Sequence, residues 1–278
     1  SRIDVSVIVA VHNGADTLVK CIDSVLGQTG CDVELIIVDA LSNDGTQKIV
    51  ESYGDAVATY IREADTGIYD AWNKALEVAR GEWCSFLGVD DYYLEPNSVA
   101  TLLETARHPG PVPAFVYGGI LRTGGSEHYV IHPDPPDAFV YLRSGDMLPH
   151  PGSLHHVGAL RAIGGFDDSF RIMGDYAAVL KLIANGTASR CPEVTTAMRI
   201  GGISSDWRYT RVSAGEKFRI LRAERGALFA IRFVGTQHSL HIIGRIVEQS
   251  TIAVFGHKRG AAWLIRLRRL AGRPPKLI

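Results

Sequence analysis

The sequence predicts an α/β fold: a mainly parallel β-sheet flanked by helices, followed by a basic helical C-terminal extension. Three observations carry that expectation. Short apolar, β-branched runs alternate with stretches of helical periodicity through the first third of the chain. Polar and acidic residues stand just past the ends of the apolar runs, where parallel sheets bind their ligands. The charge also divides along the chain: residues 206–278 carry 15 Lys/Arg against 4 Asp/Glu, whereas residues 1–205 carry 14 against 26.

The elements follow in order. Val5-Ser6-Val7-Ile8-Val9-Ala10-Val11 is a β-branched run stopped by His12-Asn13-Gly14, as a buried strand should be. Asp16 or Thr17 stands where it would cap the next helix, with Leu18, Ile22, Val25 and Leu26 on one face. Val33-Glu34-Leu35-Ile36-Ile37-Val38 reads as a second buried strand ending at Asp39. Asn43 or Asp44 starts a second helix, and Ala58 to Arg62 gives a third strand. Asp65-Thr66-Gly67 opens the clearest helix, in which Ile68, Trp72, Ala75, Leu76 and Ala79 share a face and Gly81 stands where a C-terminal cap belongs. Trp83 to Val89 is a strand running into Asp90-Asp91. Beyond it, Val99 to Ala106 reads as a helix and Ala114 to Leu121 as a strand reaching toward Arg122. Residues 123–160, rich in Gly, Pro and His, read as active-site loops with short strands. Asp175 to Ala184 is a helix with Tyr176, Val179, Leu180 and Ile183 on one side, and helices dominate from Ser213 onward.

Composition sets several classes aside. With 46% hydrophobic and 21% charged residues the chain has ordinary globular proportions, and its net charge is only −1. No apolar run approaches the roughly 18–20 residues of a membrane span. Cys21, Cys31, Cys84 and Cys191 are scattered with no C-x-x-C pair, so neither a disulfide framework nor a zinc site is indicated, and a reducing setting is expected. The first strand is not followed by G-x-G-x-x-G, and neither G-x-x-x-x-G-K-[ST] nor G-x-S-x-G occurs. What remains is a sheet with carboxylates at its functional edge. Two adjacent aspartates after a buried strand suit a hard divalent cation shared with a diphosphate, although an isolated Asp-Asp is more often simply the start of a turn.

The surroundings of that pair narrow the choice. The run Asp65-Thr66-Gly67-Ile68-Tyr69-Asp70-Ala71-Trp72-Asn73-Lys74-Ala75-Leu76, then Gly81-Glu82-Trp83, then Phe86-Leu87-Gly88-Val89-Asp90-Asp91, closely resembles the family 2 glycosyltransferases of the GT-A fold. Val7 to Gly14 with Gln28-Thr29 looks like that family's first strand and helix. Ile37-Val38-Asp39-Ala40-Leu41-Ser42-Asn43-Asp44-Gly45-Thr46 looks like its second strand and turn. The resemblance is dense over about residues 4–95, thinner to about 200 and absent beyond.

The resemblance implies a Rossmann-like GT-A domain. It implies inverting transfer of a sugar from a nucleotide-diphosphate donor, with UDP as the expected nucleotide, to a hydroxyl of a saccharide or polyprenyl-diphosphate-linked acceptor. By position, Asp91 would bind Mn²⁺ or Mg²⁺ and Asp90 would lie near the ribose or donor sugar. Asp39 would reach the base, His12 would lie against it, and Asp65, Asp70 and Asn73 would line the donor site. Tyr69 and Trp72 read as core packing. Asp175, at the start of its helix, is the expected general base, with Asp167 and Asp168 as rivals better suited to a turn. An inverting transfer needs one such base to take the acceptor's proton. His150, in Pro149-His150-Pro151-Gly152, lies where relatives place an acceptor-side loop. Two departures stand out: Asp39-Ala40 where many relatives have two acidic residues, and Gly174-Asp175 where an acidic pair is common.

Residues 1–205 are therefore expected to form the catalytic domain, with a nucleotide-sugar half (1–97) and an acceptor half (98–205). In the basic region 206–278, Trp263, Leu264, Leu267 and Leu270 oppose Arg259, Arg266, Arg269 and Arg273, the pattern of a helix lying on an anionic membrane surface. A helix docked on the catalytic domain fits the same pattern. Nucleic acid is not an expected partner, since no recognition motif accompanies the basic residues. The expected location is cytoplasmic and peripheral, at the inner face of the cell membrane. A nucleotidyltransferase would need a Gly-rich basic loop near the first strand that this chain lacks, and a degenerate sugar-nucleotide-binding scaffold would not need both Asp91 and Asp175.

Overall fold

A computed structural model of the chain describes residues 2–124, 128–199 and 209–235. Its N-terminal half is the expected alternation: β1 (Val5–Val11), α1 (Ala15–Leu26), β2 (Val33–Asp39), α2 (Thr46–Ser52), β3 (Thr59–Arg62), α3 (Ile68–Val78) and β4 (Trp83–Gly88). The strands β3, β2, β1 and β4 pair in that order, all parallel. Successive side chains of a strand point to opposite faces, and both faces here are buried. Ile8, Ile36 and Phe86 join the core under α3, whereas Val7, Val9, Leu35, Ile37 and Leu87 join the core under α1. Covering both faces is what permits the strands to be mostly apolar, and the buried polar Ser6 and Glu34 are hydrogen-bonded to each other at 2.6 Å.

The second half adds β5 (Tyr92–Tyr93), α4 (Ser98–Ala106), β6 (Phe115–Thr123), β7 (Tyr129–Ile131), α5 (Ala138–Arg143), β8 (Leu154–His156), α6 (Val157–Ala162), α7 (Gly174–Ala184) and β9 (Ala188–Arg199). Among the described residues these strands extend one mixed sheet in the order β3-β2-β1-β4-β8-β6-β9-β5, with β7 on β6. β8 runs antiparallel to both β4 and β6, and β9 runs parallel to β6. The chain closes with α8 (Thr210–Arg225) and a further helical stretch over residues 227–235.

Several details depart from the sequence expectation, each for a physical reason. α1 starts at Ala15 without a cap from Asp16 or Thr17, because Asp44 reaches across to accept the Ala15 amide at 2.9 Å. Ile68 and Leu26 face solvent, and Tyr69, Ala71 and Cys21 take the buried positions. Gly81 caps nothing: α3 has ended at Val78, and a side chain at 81 would meet the Ser6 backbone nitrogen at 2.6 Å. α7 has no single buried face, since Ala177, Ala178 and Leu182 are buried along with Tyr176, Val179, Leu180 and Ile183. β9 and β5 are strands the periodicity does not announce. The register of β9 against β6 jumps between Arg190 and Val194, so Pro192 and Glu193 sit in a bulge that interrupts any apolar run. In the basic region α8 docks through Ile220 and Leu221, and Leu228 beyond it is exposed. The amphipathic stretch 256–270 lies outside the described residues.

Candidate active site

The site is assembled at the carboxyl ends of β1, β2 and β4. Val11 is paired with Asp39 and Ala10 with Gly88, so the turns after the three strands share one edge. The first two turns are laced together. The Asn13 amide donates to Ser42 Oγ at 2.8 Å, and the Asn43 amide donates to Asn13 Oδ1 at 2.9 Å. Asn13 and Leu41 both hold positive φ, 55° and 58°. Asn tolerates this region, but for Leu it costs on the order of 1–2 kcal/mol, strain of the kind that persists where the surroundings impose it.

His12 is exposed at this edge. Asp39 is fully buried. Its Oδ1 accepts the Ser42 amide at 2.8 Å, its Oδ2 accepts the Tyr60 hydroxyl at 2.9 Å, and Arg62 Nε stands 3.4 Å away. Its carboxylate thus braces the turn from inside rather than facing solvent. Asp70 accepts the Thr66 amide at 2.9 Å and pairs with Lys74 at 3.3 Å, closing the loop that leads into α3. Burial, then the neighbouring Asp70, raises the Asp65 carboxyl above its ordinary range, and His12 is close enough to oppose that shift. Asn73 looks away from the edge. Its amide clamps Phe166 from both sides, donating to the carbonyl at 2.8 Å and accepting the N–H at 2.9 Å, which ties α3 to the loop before α7.

Asp90 and Asp91 close the third turn. A side chain at Gly88 would meet Asp91 Oδ2 at 3.0 Å and Asp90 Oδ1 at 3.2 Å, so both carboxylates converge on one glycine. The Gly88 amide donates to Asp91 Oδ2 at 3.0 Å. Burial and the adjacent Asp90 push the Asp91 carboxyl up to about 7. Crowded hard oxygens of this kind are what a divalent cation relieves, so the donor set fits Mn²⁺ or Mg²⁺. Among the described residues no third His, Cys, Asp or Glu joins the pair; the other ligands of such an ion would be diphosphate oxygens and water. Both aspartates line a cavity of about 310 Å³ shared with Lys20, Tyr92, His128 and Arg199.

Asp175 lies in the first turn of α7, half-buried. Its Oδ1 accepts the Tyr176 amide at 2.7 Å. The Tyr69 hydroxyl, which donates to the Ile172 carbonyl at 2.7 Å, stands 3.4 Å from the same oxygen. Burial pushes the carboxyl up to about 6 against these hydrogen bonds. A side chain at 174 would strike the Tyr69 ring at 2.6 Å, which accounts for glycine beside Asp175. Tyr69 is buried as expected, yet it is also the link between the Asp65–Asp70 loop and a carboxylate 106 residues away. Its polar end beside apolar neighbours is the only sequence signal of that second role. Asp167 serves its own turn, accepting the Ser169 amide at 3.0 Å.

His150 is not at the surface. It is 3% exposed and stacked on Trp72 with ring centroids 5.1 Å apart and planes 18° from parallel. His155 lies against it, and burial, then His155, holds His150 well below its ordinary pKa, so its ring is neutral. The structure therefore joins Asp65, Asp70, Tyr69 and Asp175 around the α3 entrance and sets His12, Asp90 and Asp91 along the same sheet edge. Asp39, Asn73 and His150 stand behind that surface.

Comparison with known proteins supports the family and the fold. The chain is 27% identical over 212 residues to a "PGL/p-HBAD biosynthesis glycosyltransferase" of Mycobacterium bovis, covering 72% of this chain and 78% of that protein. It is 31% identical over 188 residues to an uncharacterised glycosyltransferase of Rickettsia typhi, covering 64% and 58%. Its fold matches S. aureus TarS, residues 1–349, solved with UDP-GlcNAc, at a TM-score of 0.61, 17% identity and coverage of 96% and 85%. It also matches the mannosyltransferase PcManGT from Pyrobaculum calidifontis, solved with GDP-Man and Mn²⁺, at a TM-score of 0.62, 20% identity and coverage of 99% and 82%. The family model "Glycosyl transferase family 2" matches residues 6–159, more than half of the chain. With these carboxylates at the edge of a GT-A sheet, the chain belongs to glycosyltransferase family 2.

Proposed function

We propose that the protein is an inverting, divalent-metal-dependent glycosyltransferase. It moves a hexosyl or N-acetylhexosaminyl group from a UDP-sugar to a hydroxyl of a saccharide or lipid-linked saccharide, with Asp175 as general base. The observation that carries the reading is the tie from Tyr69 to Asp175, which sets a half-buried, raised carboxyl beside the donor-side loop 65–70. The neighbours solved with UDP-GlcNAc and with GDP-Man and Mn²⁺ support a nucleotide-sugar donor.

In this reading the acceptor oxygen attacks the anomeric carbon on the face opposite the diphosphate. Its proton passes to a carboxylate oxygen of Asp175, and the bond from the anomeric carbon to the diphosphate oxygen breaks, with the electron pair leaving on the diphosphate. Asp91 would hold the metal with Asp90 beside it, and that ion, when bound, stabilises the charge of the departing diphosphate. His12 would cover the base, and Asp65 and Asp70 would receive donor hydroxyls. Asp39 would act on the base through the turn it braces, and Asn73 through the loop it clamps. The acceptor-side role of His150 would be exercised through the Trp72 ring. Residues 1–205 form the catalytic unit in this reading, α8 docks against it, and the basic, amphipathic stretch beyond faces an anionic membrane surface at the inner face of the cell membrane.

The test is a thermal-shift and turnover screen of UDP- and GDP-sugars with and without Mn²⁺, on the wild-type protein and Asp91→Asn. A UDP-sugar is expected to stabilise the wild type only with Mn²⁺, and Asp91→Asn is expected to lose both the shift and donor hydrolysis. Stabilisation by GDP-sugars alone would overturn the donor assignment. Full activity of Asp91→Asn would overturn the metal assignment.

A further inference from the structure

The helix that follows the sheet reaches back into the site. Glu216, on α8, sends its carboxylate to three successive backbone amides just ahead of α7. Oε1 accepts the Arg171 N–H at 2.6 Å, and Oε2 accepts those of Ile172 and Met173, each at 2.9 Å. Consecutive amides converging on one anion form a concave nest, and charge-assisted bonds to it are among the stronger polar contacts a protein makes. α7 has no side-chain cap of its own, so this carboxylate supplies the negative charge that a helix N-terminus favours.

The contact is reinforced along the helix. Arg219 Nη2 donates to Ser169 Oγ at 2.9 Å with its guanidinium 3.7 Å from the Phe170 ring centre, and the Arg171 guanidinium lies 4.9 Å from that of Tyr209. Ile220 and Leu221 anchor the same helix in the core. Segment 169–173 is thus held from one side by α8 and from the other by the Tyr69 hydroxyl on the Ile172 carbonyl. Asp175 stands two residues beyond Met173, and the charged or titratable groups bearing on it come from Tyr69 on α3 and Glu216 on α8.

We propose that Glu216 is a positioning residue for transfer: by clasping the 171–173 amides it fixes the start of α7, and with it the direction in which the Asp175 carboxylate faces the acceptor hydroxyl. Both carboxylate oxygens of Glu216 are taken up by backbone amides, so it acts through them. The role rests on the reading of Asp175 as general base. A misplacement of about 1 Å at a reacting group costs on the order of 100-fold in rate, so the clasp has a large lever on turnover and a small one on donor affinity.

The experiment compares the full-length wild type with Glu216→Gln, Glu216→Ala and Asp175→Ala. It measures nucleotide release from UDP-GlcNAc or GDP-Man, whichever the wild type turns over, as kcat and KM across pH 5–9, together with thermal stability. Glu216→Gln keeps the shape and loses the charge. It is expected to lower kcat about 10-fold or more at nearly constant donor KM, and to move the acid limb of the pH profile to lower pH, because a like charge near Asp175 is gone. Glu216→Ala is expected to lose more. Wild-type kcat and an unmoved acid limb in Glu216→Gln would overturn the inference even if the variant melts earlier, since a purely structural contact predicts that combination. If Glu216→Ala fails to fold, Glu216→Gln decides alone. Asp175→Ala reports separately on the base: if it is inactive while Glu216→Gln is unaffected, only the positioning role falls, and if it keeps its rate, both fall.

Discussion

At Asp175 burial and hydrogen bonding pull in opposite directions, and burial prevails, leaving the carboxyl at about 6. A base works only when ionised, so kcat should fall as pH drops through about 6 and level off above it. The stability consequence has the opposite sense. A carboxyl whose folded pKa is raised contributes stability below its unfolded pKa of about 4, and that contribution is lost as pH rises through about 6. Asp175→Asn should therefore be more stable than the wild type at pH 7.5, by on the order of 1–2 kcal/mol, with the difference shrinking toward pH 4; melting curves at the two pH values check it. Tyr69→Phe removes a hydrogen bond that favours the ionised form, so its acid limb should move to higher pH. Left without its donor, the Ile172 carbonyl should cost about 1 kcal/mol in urea unfolding. At this scale the sequence showed which residues are present but not which way they face. Asp39, Asn73 and His150 have the right chemistry and positions in the chain, yet all three turn inward, because each finds backbone or ring partners close by.

Among the elements, α3 does the most to join the two halves of the molecule. Tyr69 reaches the start of α7, and the Asn73 clamp fixes Phe166 a turn later. Asn73→Ala should destabilise by about 1–3 kcal/mol, since it strands two backbone groups at once. It should also lower kcat through the loosened 165–173 loop, and chemical denaturation alongside single-turnover rates separates the two effects. The strands β1 and β2 were readable because each is a bounded β-branched run buried on both faces. β9 was not, since its bulge at Pro192 and Glu193 breaks the run. The surroundings of α7 were hidden as well: a helix enclosed by α5, α6 and β6 gives no one-sided pattern.

For the molecule as a whole, the near-zero net charge conceals an excess of acidic residues over 1–205 and of basic residues over 206–278. Part of that region has a structural place, since α8 is docked beside the proposed base. Its sequence shows amphipathic, basic helix and cannot show that one of its few acidic residues grips the amides ahead of α7. Among the described residues no helix is long and apolar enough to cross a membrane. The full chain is expected to float with phosphatidylglycerol-containing vesicles at low salt, to dissociate as salt rises, and to lose flotation when residues 257–278 are removed; equal flotation of the truncated chain would place the attachment elsewhere. The central claim is that Asp175 takes the acceptor's proton, and the most direct measurement is turnover and donor affinity of Asp175→Asn side by side. Turnover lost by at least about 100-fold, with the donor dissociation constant within twofold of wild type, is the predicted result. An Asp175→Asn enzyme that transfers sugar at a near-normal rate would contradict it.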